Sequence, residues 1–131
     1  MLRTTGPNAV KKILVVDDEY SNAEVLGLIL ADEGFDVLCA SNGQEGLERV
    51  QQFLPDLIML DFMMPVLNGA EMGRALRSAP ETRSIKILMN SALPEASVRA
   101  HFTDYDAYLR KPFRFESALK LITQLLGSEP Q

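Results

Sequence analysis

What the chain has little of narrows its chemistry before any motif is read. It has one cysteine, Cys39, which excludes an internal disulfide and fits a reducing compartment. It has one histidine, His101, too few for a Cys/His zinc site. No apolar run approaches the roughly 20 residues a membrane span needs, and the basic N-terminus lacks the apolar stretch of a secretory signal. Basic residues are in the minority: 13 Lys and Arg against 18 Asp and Glu give a net charge of −5. That balance argues against direct contact with nucleic acid or an anionic membrane surface. The sequence contains neither G-x-x-x-x-G-K-[ST] nor G-x-G-x-x-G, which removes P-loop and dinucleotide-binding chemistry. Internal repeats and low-complexity linkers are missing too. What remains is a chain of 131 residues and average composition, 47% hydrophobic. It is expected to be a soluble cytoplasmic protein with one compact domain over 11–127, a flexible segment over 1–10 and a tail at 128–131.

Short apolar runs alternate with segments of helical period. Ile13-Leu14-Val15-Val16 and Leu57-Ile58-Met59-Leu60 read as buried strands and 85–89 as a partly alternating one, with 35–40 and 107–109 as two more. Val25, Leu28, Ile29 and Asp32 fall at i, i+3, i+4 and i+7, which predicts a first helix with that mostly apolar face, stopping at Gly34. Asn42-Gly43 opens a second helix carrying Leu47, Val50 and Leu54, and Asn68-Gly69 opens a third bearing Met72, Ala75 and Leu76. A short fourth helix is expected over 95–102, and Ala118, Leu121, Ile122 and Leu125 mark a fifth that ends at Gly127. Met59, Met64, Met72 and Met89 are expected to fill core gaps, and Cys39 to sit as a small buried hydrophobe. Strict β-α alternation implies an α/β fold, a doubly wound parallel sheet with helices on both faces. In such sheets the ligand site lies outside the carboxyl ends of the strands, where the strand order reverses.

Those ends carry Asp17, Asp18 and Glu19 after the first strand, Asp61 after the third, Asn90 and Ser91 after the fourth, and Lys111-Pro112 after the fifth. Singly, each has an ordinary reading as a helix cap, a turn residue or a solvated charge. Their convergence on one edge is what points to phosphoryl transfer. Clustered carboxylates repel one another unless a cation sits between them, and oxygen-only ligands select a hard ion such as Mg²⁺. A carboxylate can itself be the nucleophile, with a lysine and a hydroxyl to hold the phosphoryl oxygens.

At this point the residues resemble a known family. ILVVDDE at 13–19, PDLIMLDFMMPVLNG at 55–69, NSA at 90–92 and YLRKPF at 108–113 are similar to the receiver domain of two-component response regulators, over about Lys11 to Leu126. The resemblance implies a five-stranded flavodoxin-like sheet of order 2-1-3-4-5 and a phosphorylation-dependent signalling switch that is not a turnover enzyme. It implies that Asp61 takes a phosphoryl group from a sensor histidine kinase or a histidine phosphotransfer protein. Asp18 then matches the direct Mg²⁺ ligand, Asp17 its neighbour acting largely through water, and Met63 a ligand through its backbone carbonyl. Lys111 and Ser91 hold phosphoryl oxygens, and Tyr108 is the aromatic that turns inward as the Ser91 hydroxyl moves. A cis peptide is expected between Lys111 and Pro112. Two other readings stand beside this one: an Mg²⁺-dependent phosphohydrolase, which would want a second acid where Met63 stands, and an interaction module that works without phosphate. The interval from Ser91 to Lys111 is about two residues shorter than the family pattern, so a trimmed fourth helix is expected. Met63 and Leu93, both apolar, are expected to flank the phosphoryl group and shield it from water.

Overall fold

The apolar runs become strands because each is too short for a helix and bounded by turn formers. In the computed structural model, which describes residues 9–127, five strands alternate with five helices: β1 (Lys12–Val16), α1 (Tyr20–Asp32), β2 (Asp36–Ala40), α2 (Gly43–Phe53), β3 (Leu57–Asp61), α3 (Gly69–Ser78), β4 (Lys86–Ser91), α4 (Glu95–Arg99), β5 (Ala107–Arg110) and α5 (Phe115–Leu126). The expected flexible segment, apart from residues 9–10, and the tail at 128–131 lie outside the described residues. No helix among the described residues is long and apolar enough to cross a membrane.

The strands pair in parallel in the order β2-β1-β3-β4-β5, as expected. Alternating side chains divide the sheet between two cores. Leu14, Val16, Ile58, Leu60, Ile87 and Met89 point to the face covered by α2, α3 and α4. Ile13, Val15, Leu57, Met59, Leu88 and Leu109 point to the face covered by α1 and α5. The four singled-out methionines are buried in these cores. Cys39 is only half-buried, and its thiol donates to the Ala23 carbonyl at 3.4 Å.

Helix starts follow local chemistry. The Asn42 side chain accepts from the Glu45 amide at 2.8 Å. Asn68 and Glu71 form a reciprocal capping box, 2.9 Å in each direction. The first helix departs from expectation. α1 buries Ala23, Gly27 and Leu30, while Val25 and Leu28 are 57% and 72% exposed and Ile29 also faces outward. The small residues win because they let the helix approach the sheet edge closely: a Cβ added at Gly27 would stand 3.1 Å from the Cys39 sulfur. The fourth helix is shorter than 95–102, stopping at Arg99, and the chain closes it with bonds from His101 and Phe102 amides to the Val98 carbonyl. β4 runs on through Asn90 and Ser91, so both belong to the strand end rather than to the loop beyond it.

Candidate functional site

The strand order reverses between β1 and β3, and the register there sets two acids side by side. Val16 pairs with Leu60, so the next residues, Asp17 and Asp61, emerge together from the sheet edge. Asp18 joins them: each of the three offers one carboxylate oxygen, all within 4.8 Å of one another. β4 and β5 complete the edge. The Lys111 amide donates to the Ser91 carbonyl at 2.8 Å, and the Lys111 ammonium lies 3.2 Å from Asp17 Oδ2 and 3.5 Å from Asp61 Oδ2. The Lys111–Pro112 peptide is cis, as expected.

Asp61 is almost fully buried, at 3% exposure. Burial pushes its pKa up to about 7; Lys111 opposes this, Asp17 adds to it, and the Met63 amide, donating at 3.3 Å, opposes it further. For Lys111 burial disfavours the charged form, but Asp61 and Asp17 outweigh it and hold the ammonium above its ordinary value. Asp17 is partly committed already, because its Oδ1 accepts from the Glu19 amide at 2.9 Å. Glu19 turns instead to Asn22 on α1 and lies outside the three-carboxylate group.

Lys111 pairs with Asp17 and Asp61 and no pairing with Asp18 is seen among the described residues, so the ionised cluster of three carboxylates and one ammonium carries an excess of two negative charges. All donors are oxygens. That set fits a hard divalent cation of the Mg²⁺ kind. Asp17, Asp18 and Asp61 are the side chains that could hold it.

Ser91 is fully buried at the same edge, its hydroxyl accepting from the Leu93 amide at 3.1 Å. Tyr108 is half-buried and donates its hydroxyl to the Leu93 carbonyl. The two residues expected to form a switch are therefore tied through one loop residue. The Met63 side chain is exposed, with only its amide reaching Asp61, whereas Leu93 packs against the core. Phe113 and Phe115 pack against the α1–α5 core. A groove of about 570 Å³ leads away from Asp17 and Lys111, between α1 and the segment entering α5. Sequence reasoning did not single out Tyr105, whose hydroxyl donates to Glu95 on α4. Its spacing of three from Tyr108, beside a fourth helix expected to be trimmed, was the available signal.

Residues 13–123 match the family model described as the response regulator receiver domain. The chain is 39% identical over 117 residues to the phosphate regulon transcriptional regulatory protein PhoB of Rhizobium meliloti, covering 88% of this chain and 52% of that one. It thus spans about half the length of the curated relatives it matches. Among solved structures, the chemotaxis response regulator CheY4 of Vibrio cholerae superposes with a TM-score of 0.80 at 31% identity, over 89% of this chain and 99% of that one. The receiver domain of a Pseudomonas aeruginosa sensor histidine kinase superposes with a TM-score of 0.83 at 25% identity, over 92% of this chain and all of that one. That structure holds a magnesium ion in its active-site cleft.

Proposed function

The chain belongs to the response regulator receiver domain family, and from that premise we propose that Asp61 accepts a phosphoryl group from the phosphohistidine of a sensor histidine kinase or histidine phosphotransfer protein. The observation that carries the reading is the buried Asp61 carboxylate, held beside Asp17, Asp18 and Lys111 where the strand order reverses. A carboxylate oxygen of Asp61 attacks phosphorus, the phosphorus–nitrogen bond breaks, and the imidazole leaves with the electron pair and takes up a proton from water. Lys111 stabilises charge on the transferring oxygens from its place between Asp17 and Asp61. Asp17 and Asp18, with the Met63 carbonyl, would hold Mg²⁺. When bound, the ion would supply neutralisation of the negative charge of the carboxylates and the phosphoryl group.

Signalling follows from differential contacts. A phosphoryl oxygen offers the Ser91 hydroxyl a new acceptor, and the loop shared with Tyr108 changes its population accordingly. The chain promotes its own phosphorylation without turning over a substrate. A phosphohydrolase would need a second acid at position 63, where the exposed side chain is methionine.

Intact mass after incubation with Mg²⁺ and acetyl phosphate tests the proposal. One added phosphoryl group is expected on the wild type and none on Asp61→Ala. An unmodified wild type, with Mg²⁺ binding verified and the donor intact, would sink it.

A further inference from the structure

α4 is the least self-sufficient element among the described residues. It has five residues, and Pro94 at its N-cap makes no side-chain capping bond. A helix that short does not persist unaided. Val98 anchors it in the core, but its start is fixed by two tyrosines, Tyr105 on the segment that enters β5 and Tyr108 within that strand. Tyr108 donates to the Leu93 carbonyl and Tyr105 to the Glu95 carboxylate. The two rings stand 6.0 Å apart, and Phe102 supports Tyr105 with a centroid distance of 6.4 Å. Leu93 in turn donates its amide to the Ser91 hydroxyl. The stretch 91–95 therefore carries Ser91 and, close after it, both tyrosine attachments.

We infer that Tyr105 is a second positioning residue of the switch: through Glu95 it holds the N-terminus of α4 in step with Ser91. The inference rests on the phosphoacceptor reading of Asp61. A bond that is strong in one arrangement of the loop and weak in another biases the equilibrium between them, and whatever draws Ser91 changes that bond in return. Moving Ser91 moves Leu93 and Glu95 along the same short stretch, so the neighbouring tyrosine attachments respond as a pair. Tyr108 is half-buried and attached here, the arrangement expected when the Ser91 hydroxyl is drawn in. Loss of the Tyr105 attachment then disfavours uptake of a phosphoryl group.

The test titrates the chain with beryllium fluoride in the presence of Mg²⁺, read by amide NMR over residues 91–101. Tyr105→Phe keeps the ring and removes the hydroxyl, and Glu95→Met keeps the length and removes the acceptor. Each is expected to raise the beryllium fluoride concentration at half-saturation by about threefold, as loss of one net hydrogen bond implies. The double variant is expected to go no further than either single. In the unliganded protein, exchange of the Ala100, His101 and Phe102 amides, which close α4, is expected to quicken in Tyr105→Phe. An unchanged midpoint in Tyr105→Phe overturns the inference, even if exchange quickens, because Tyr105 is then a packing residue alone. Single effects that add in the double variant overturn it as well. A wild type that takes up no beryllium fluoride instead sinks the phosphoacceptor reading. Unchanged exchange in Tyr105→Phe would then dispose of the α4 attachment separately.

Discussion

Burying Asp61 beside Asp17, with one lysine for both, leaves negative charge that a proton or a cation must relieve. Its pKa of about 7 lies above the ordinary 3.8, so between those values the folded state binds more protons than the unfolded one. Stability of the metal-free protein therefore falls as pH rises through that window, and the loss is complete above it. Asp61→Asn removes the ionisation. It is expected to exceed the wild type in stability by roughly 1–3 kcal/mol at pH 8 in EDTA and to lose that advantage below pH 4. Urea melts at the two pH values measure this; equal stabilities at pH 8 would contradict it. Asp61 could be picked out in the sequence by its place after a strand, but its burial and its sharing of Lys111 needed the register of β1 against β3. A second residue was not legible at all. Val66 is 87% exposed and sits at φ 70°, a left-handed backbone that a β-branched side chain resists. Nothing in PVLNG marks that angle. Val66→Asn is expected to raise stability by about 1 kcal/mol in denaturant melts, and a fall would show that Val66 makes contacts worth more than the strain.

At the scale of elements, α1 shows where periodicity stops being informative. Val25, Leu28 and Ile29 form one apolar stripe and Ala23, Leu26, Gly27 and Leu30 another, so the pattern announces a helix without saying which side packs. The sheet decides through close approach, which favours the side with alanine and glycine. Capping signals were more reliable, because Asn42 and Asn68 act on their own first turns regardless of tertiary context. The choice of faces is open to measurement. Leu30→Ala is expected to cost about 2–5 kcal/mol, as for other buried leucines, whereas Leu28→Ser is expected to stay within about 0.5 kcal/mol of wild type. At Gly27 a methyl would stand 3.1 Å from the Cys39 sulfur, so the gain in helix propensity from alanine is set against a tight contact with β2. Equal losses at positions 28 and 30 in urea melts would mean that α1 sits rotated from the arrangement described.

For the whole molecule, β-α alternation was enough to foresee that residues far apart in sequence meet at one edge, because parallel strands all deliver their carboxyl ends to the same side. The alternation could not foresee how the opposite end is held. There Arg77, near the end of α3, spreads its guanidinium over two chain segments. It donates to the Asp104 carbonyl at 3.0 Å, to the Arg83 and Ile85 carbonyls at 2.7 Å each, and to Asp106 Oδ2 at 2.9 Å. Asp106 Oδ2 also accepts from the Ile87 amide at 2.8 Å, at the start of β4. In the sequence Arg77 reads as one basic residue in the last turn of a helix. In the fold it ties α3 to the entrances of β4 and β5, at the end of the sheet away from Asp61. Its side chain is mostly buried, so removing it strands several acceptors and one carboxylate at once. Arg77→Met is expected to lower stability by roughly 2–4 kcal/mol. Arg77→Lys is expected to recover little, because one ammonium cannot reach four acceptors laid out for a planar fork. Because the tie lies at the far end, both variants are expected to take up phosphoryl from acetyl phosphate at the wild-type level at temperatures where they remain folded. A loss of labelling in folded Arg77→Met would show that the two ends of the sheet are coupled, and full recovery of stability in Arg77→Lys would reduce the tie to a single ion pair.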